Sequence, residues 1–403
     1  MTIGMNVYRI YILAWLLSGF TVATVHAENE GGGERSVPQQ MQTEAKASSV
    51  TASSAASSSS LFSSSSTAAV TPAATLENMP EWTKELASRI QLHGYAQGGF
   101  NYSHKGGTDT NSFELKRVLF WANAQITDRW SFLFMHDFSS VVQEYYTDFR
   151  ITNNKTLVLR LGQFKTGLSY ENPLSPTSQE AIDVYSEGVT FLTGCGSDPL
   201  LGVQYGRDLG LSLFGESNDG KFRYELDIMN GQGINKKDGN AEKDFIGRLE
   251  WRPAKGLNIV ATGQLGRGHA IAKSLYNPDI EIGQNYKRNR WTAGFDYKSK
   301  CINLHGEYLE GKDGNATSRG TYVTGSVPLV QDKLDFVGSY DFFNFNTDLG
   351  MDQHKAIAGL QYWFYKKCRF QIQYIYKSAF TEKGQFFHGP NHGIMCQMQI
   401  RFN

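Results

Sequence analysis

"CRFQIQYIYK", residues 368–377, places Phe370, Ile372, Tyr374 and Tyr376 on one face and Arg369, Gln371, Gln373 and Lys377 on the other. That is the period-two alternation of a strand with one apolar and one polar side. "KFRYELDIM" (221–229) repeats it, setting Phe222, Tyr224, Leu226 and Ile228 against Lys221, Arg223, Glu225 and Asp227, and "GIMCQMQIRF" (393–402) does so again. A soluble β-sandwich can also alternate in this way. The number, length and spacing of such segments decide between the two.

Sixteen segments follow the pattern, at 89–103, 112–126, 130–139, 143–152, 156–164, 206–216, 221–231, 243–253, 256–266, 289–299, 301–310, 318–328, 333–345, 353–364, 368–378 and 391–402. Most run to about ten residues, the length of a tilted strand crossing a bilayer core. Short turns such as "TDR", "NNK", "SNDG" and "VQDK" alternate with longer loops at 104–111, 165–205, 232–242, 267–288, 311–317, 346–352 and 379–390; the three residues after Ser139 are the one short exception. An even strand count with short turns at one end and longer loops at the other is the layout of an outer-membrane barrel. The pattern therefore predicts an all-β, 16-stranded antiparallel transmembrane β-barrel with both termini on the short-turn, periplasmic side. Lipid would cover the apolar faces, and closure would leave no backbone group unpaired in hydrocarbon. Trp130, Trp251, Trp291, Trp363, Tyr362 and Tyr365 lie near strand ends, where amphipathic rings favour the headgroup level.

"LVLRLGQFKTGLSYENPLSPTSQEA" (157–181) begins as a strand and then loses all period for some forty residues. In a compact soluble domain such a loop counts against the strand assignment. A sixteen-stranded barrel encloses an aqueous lumen, and polar backbone is tolerated where it lines water. Residues 165–205 are accordingly predicted to fold inward as the third long-side loop and narrow the lumen.

The chain has 403 residues, 39 Lys plus Arg and 39 Asp plus Glu. This balance argues against nucleic acid as a partner. At the N-terminus, Arg9 precedes an apolar run from Ile10 to Phe20, with small residues at Val25 and Ala27 before Glu28, the arrangement of a secretory signal peptide over residues 1–27. A single anchoring helix would want about twenty uninterrupted apolar residues. Residues 28–78 are mostly Gly, Ser, Thr and Ala, too poor in apolar side chains to offset ordering entropy. A disordered tether is expected over 28–88, with the outer-membrane barrel at 89–403.

HExxH, GxSxG, GxxxxGK[ST] and CxxC motifs are missing, and the histidines are scattered. No enzyme activity, metal or cofactor is expected. "KDGNA" occurs at 237–241 and again at 312–316 and reads as a tight turn. On the inferred register the lumen face carries Arg150, Arg160, Arg223, Arg248, Arg252, Arg369 and Arg401, interleaved with Asp137, Asp148, Glu225, Asp227, Asp244, Glu250, Glu307, Asp335 and Asp341.

Several stretches, "FELKRVLFWANAQITDRWSFLFMHDFS", "LRLGQFKTGLSYENPLSP", "GRDLGL", "MNGQGIN", "NRWTAGFDY", "YLEGKDGN" and "LQYWFYKKCRFQIQY", resemble in order the phosphate-selective porin O and P family in its Bacteroides-type form, over residues 81–403. The resemblance implies a homotrimeric sixteen-stranded barrel that passes small anions, phosphate among them, or small polar solutes by diffusion. It also implies that the third loop is the constriction, and that Lys165 of GQFK and Arg207 of GRD belong to the anion path. The third loop departs from a purely cationic pattern, since it sets Glu171, Glu180, Asp183, Glu187 and Asp198 against Lys165. Those carboxylates predict weak anion selectivity. The competing expectation is a surface adhesin or receptor that uses the barrel only as a mount.

Overall fold

The computed structural model describes residues 81–154, 156–378, 380–382, 385–388 and 391–402. The signal peptide and the tether up to residue 80 lie outside the described residues. Residues 81–88, expected as the end of the tether, instead begin a helix, α1 (Glu81–Arg89), with Glu81 in its first turn and Arg89 in its last. Acid-first, base-last placement suits the helix dipole, and Lys84 closes onto Glu81 at 2.9 Å.

The barrel strands are β1 (Ile90–Lys105), β2 (Thr108–Gln125), β3 (Trp130–Asp137), β4 (Val142–Arg150), β5 (Val158–Lys165), β6 (Arg207–Glu216), β7 (Phe222–Met229) and β8 (Asp244–Ala254). They continue as β9 (Leu257–Leu265), β10 (Asn285–Lys298), β11 (Asn303–Asp313), β12 (Ala316–Val330), β13 (Leu334–Asn346), β14 (Met351–Tyr365), β15 (Cys368–Lys377) and β16 (Asn391–Phe402). Each pairs antiparallel with its neighbour, and β16 closes on β1 from Gly94↔Phe402 to Lys105↔Asn391. Closure removes the open edges that a flat sheet of this size would present. The segments Arg267–His269, Phe380–Glu382 and Gln385–His388 add short pairings at the long-loop end.

Alternation sorts the two faces as the sequence predicts. On β7, Leu226 is 59% exposed on the outside while Asp227 is 2% exposed inside. One ring is misassigned: Trp363, expected at the headgroup level, turns into the lumen, where its Nε1 donates to Asp335 Oδ2 at 2.8 Å beneath the Arg369 guanidinium. A register shift between Trp363 and Tyr365 accompanies it. Two loops are also shorter than expected. The stretch 104–111 is two long strands meeting at Gly106–Gly107, and 311–317 is a hairpin turning at Gly314–Asn315. Polar side chains there pair across strands, as Tyr102 Oη with Asp109 at 3.0 Å, so the alternation fades while the ladder continues.

The third loop, residues 166–206, lies inside the barrel. Its helix α2 (Glu187–Thr193) starts at Ser186, whose side chain accepts from the Val189 amide, and ends at Gly194 with φ 63°. These are the usual devices for the orphan groups at helix ends. Val189, Phe191 and Leu192 bury themselves against Leu309, Tyr322, Phe343, Phe345 and Met351 on the inner wall of β11–β14. The approach is close enough that a side chain at Gly188 would meet the Phe343 ring at 2.8 Å.

Candidate functional site

Backbone inside a lumen must find hydrogen-bond partners, and the wall supplies them with side chains. Asp227 accepts from Gly167 N at 3.0 Å and Glu307 from Tyr170 N at 2.9 Å, while Asp341 accepts from Glu187 N at 2.6 Å. Gln373 accepts from Ile182 N at 2.8 Å and, with Gln371, donates to Glu180 O at 2.7 and 2.9 Å. Arg248 donates to Ser169 O and Arg369 to Gln179 O, each at 2.5 Å. The loop is thus sewn mainly to β7–β15, and on the facing side it is held at fewer points, by Lys165 of β5 on Asn172 O and Leu174 O, by Gln97 of β1 on Pro176 O at 3.5 Å and by Arg401 of β16 on Thr177.

Most acidic residues of the loop face this sewn side. Glu171, 2% exposed, accepts from Ser186 N at 2.9 Å and lies 3.3 Å from His305 Nε2. Asp198 meets Arg288 at 3.3 Å and Arg290 at 3.7 Å. Glu187 pairs with Lys377 at 2.8 Å and Lys355 at 3.0 Å. Burial alone would raise the Glu187 carboxyl, but the two ammonium groups overcome it and draw it down to about 2. Asp183 also reaches Lys355, at 3.4 Å.

Beside the loop lie two cavities, the smaller against β1–β6 and the larger reaching from β1–β6 onto β7–β10 and β16. One, about 370 Å³ and toward the long loops, is lined by Lys116, Arg117, Lys165 and Arg207 with Asp137 and Asp183 as its carboxylates. The other, about 500 Å³ and toward the short turns, carries Arg160, Lys165, Arg207, Arg223, Arg248, Lys298 and Arg401 against Glu144, Glu225, Glu250 and Asp296. Both linings include Tyr95, Leu119, Lys165, Pro176 and Arg207, so the cavities meet where the loop comes nearest the β1–β2 wall. Cations outnumber carboxylates in each.

The predicted site residues divide. Lys165 and Arg207 stand at the junction. Lys165 Nζ donates to Asn172 O at 2.8 Å, Leu174 O at 2.6 Å and Tyr185 Oη at 3.1 Å, all neutral acceptors. Arg207 is paired with Glu144 at 2.7 Å. Arg160, Arg223 and Arg248 line the larger cavity and are each held by a carboxylate, Asp148 at 2.7 Å, Glu225 at 3.4 Å and Glu250 at 2.7 Å. Glu180 and Arg369 line a third cavity of about 480 Å³ at the short-turn end of β10–β15, which shares Lys298 with the larger one. Asp183 lines the smaller cavity of the joined pair, and Glu171, Arg150 and Arg252 line neither of the two. Arg252 instead pairs with Glu216 and Glu250 at the short-turn rim.

Site-by-site sequence reasoning misses Tyr95, Leu119, Pro176, Lys116 and Arg117. A β-bulge in β2 opposite Gln97–Gly98 leaves Lys116 as the extra residue and brings two adjacent cations to one cavity, a re-aiming that bulges commonly perform. The lumen wall there is also apolar, with Trp121, Leu133 and Met135 facing in.

No protein-family model matches the sequence, and no match is found among curated proteins. Solved structures do resemble it. OprB of Pseudomonas putida aligns at 9% identity over 79% of this chain and 96% of its own, with a TM-score of 0.60. The anion-selective porin from Comamonas acidovorans aligns at 13% identity over 78% and 99%, TM-score 0.57. Salmonella typhi OmpF, in complex with daunomycin, aligns at 12% over 78% and 97%, TM-score 0.56. At such identities the likeness is one of fold: this chain folds as a sixteen-stranded porin-type barrel.

Proposed function

We propose that the chain is a diffusion porin of the bacterial outer membrane that passes small polar solutes and prefers small anions. In this reading residues 1–27 direct export, residues 28–80 form a tether, both termini are periplasmic and three copies assemble. The observation that carries it is the pair of cavities meeting at Tyr95, Leu119, Lys165, Pro176 and Arg207, each with a cationic excess. Focused between low-dielectric walls, such an excess raises the local concentration of anions. The adhesin alternative loses ground because two expected surface loops are tight hairpins.

Phosphate is among the anions admitted, without a dedicated site. Selective phosphate capture wants several uncompensated donors converging on one anion, whereas Arg160, Arg207 and Arg248 are already engaged by carboxylates. Reconstitution into planar bilayers tests the proposal. Stepwise ohmic conductance with a reversal potential of anionic sign in a KCl gradient is the expected result. A folded barrel that gives no conductance contradicts the porin reading, and a cationic reversal potential contradicts the anion preference.

A further inference from the structure

The larger of the joined cavities combines apolar and cationic wall. Trp121, Leu133 and Met135 project into the lumen from β2 and β3, with Leu174 of the third loop across from them. Apolar surface left facing water costs about 25 cal/mol per Å², so a lumen built only for hydrated inorganic ions gains nothing from it. Beside this apolar wall stand two cations without a carboxylate partner among the described residues. Lys165 donates only to neutral oxygens. Arg401 donates Nη1 only to the neutral Thr177 Oγ1, and its guanidinium carbon lies 6.0 Å from the Trp121 ring centroid.

We propose that this cavity is a subsite for small organic carboxylates, with the hydrocarbon part lying on Trp121, Leu133 and Met135 and the carboxylate directed to Lys165 and Arg401. The proposal rests on the porin reading and adds the solute class. Anions with an apolar body dwell there longer than inorganic anions or acetate, because only they cover the apolar wall while meeting the cations.

The test uses the full mature chain in planar bilayers, with KCl current as the reporter and benzoate, acetate and inorganic phosphate as probes. Benzoate is expected to halve the current at a concentration about tenfold below acetate, a preference of ~1.4 kcal/mol, and below phosphate by a similar factor. The double variant Leu133→Ser/Met135→Ser should bring benzoate and acetate together, whereas Arg401→Gln should weaken both by a similar factor. If the double variant fails to insert, the wild-type ratio of benzoate to acetate still decides. Equal half-blocking concentrations for benzoate and acetate in a conducting wild type overturn the subsite and leave the porin reading standing. A folded barrel without KCl current overturns the porin reading itself.

Discussion

The two sides of the lumen use the same residue types to opposite ends. Along β7–β15 many inward carboxylates, guanidinium groups and amides are bonded to the third loop or to a charge that the loop brings, as Asp198 to Arg288 and Glu187 to Lys377. Along β1–β6 the inward groups face the two cavities, whose linings, completed in the larger one by residues of β7–β10 and by Arg401, carry a cationic excess. A loop carboxylate that is paired and buried presents little field to a passing ion, because its partner cancels it at short range and screening removes the remainder beyond about 8 Å. The acidic composition of the third loop therefore says little about selectivity. What counts is which side each charge faces.

Removing the sewn side altogether should have the largest effect. Deleting residues 170–200 is expected to raise single-channel conductance severalfold, since it merges the cavities that the loop lines. Unchanged conductance would place the loop outside the conducting path.

A smaller change loosens the same side. Phe191 packs its ring against Tyr276, Phe343 and Phe345 at centroid distances of 5.3, 5.5 and 5.2 Å. Phe191→Ala should destabilise the docked loop by about 3–5 kcal/mol. Increased open-channel noise and a lower heat-denaturation midpoint in detergent are the readouts. A quiet variant with an unshifted midpoint would show that α2 does not anchor the loop.

Acid should loosen it more gently still. The Glu187 carboxyl sits at about 2 in the folded protein against an ordinary 4.5. Because the folded value is depressed, its contribution is complete above 4.5 and is lost as pH falls from there toward 2. The heat-denaturation midpoint should fall over that window, and Glu187→Gln should flatten that part of the fall. An identical acid profile in the variant would remove Glu187 from the clamp.

Much of this fold is legible in the sequence because lipid outside and water inside enforce one period on every strand. All sixteen strands lie where alternation places them, and the loop after Lys165 lies where its length requires. The ends of strands are less legible. Beyond the bilayer both faces are polar, so the hairpins at Gly106–Gly107 and Gly314–Asn315 look like loops. The constriction was half legible. Lys165 and Arg207 stand out, but in "FELKRVLFWANAQ" both faces carry large apolar residues, Leu119 and Trp121 on one and Val118 and Phe120 on the other. Alternation alone cannot say which of the two faces lipid, and the bulge at Lys116 breaks the count just where the two adjacent cations lie. Nor does a sequence say that Glu171 turns toward His305, since that pairing joins residues on opposite sides of the loop–wall contact.

The most direct test of the account is a pair of reversal-potential measurements in a KCl gradient, one on Lys165→Glu and one on Glu171→Gln. Lys165→Glu changes the charge at the junction of the cavities and should move the reversal potential strongly toward the cationic side. Glu171→Gln removes a carboxylate from the sewn side, where the amide can still accept from Ser186 N, and should leave the reversal potential close to that of the wild type. A large anionic shift from Glu171→Gln, with none from Lys165→Glu, would place the ion path on the other side of the loop and contradict the division of the lumen described above.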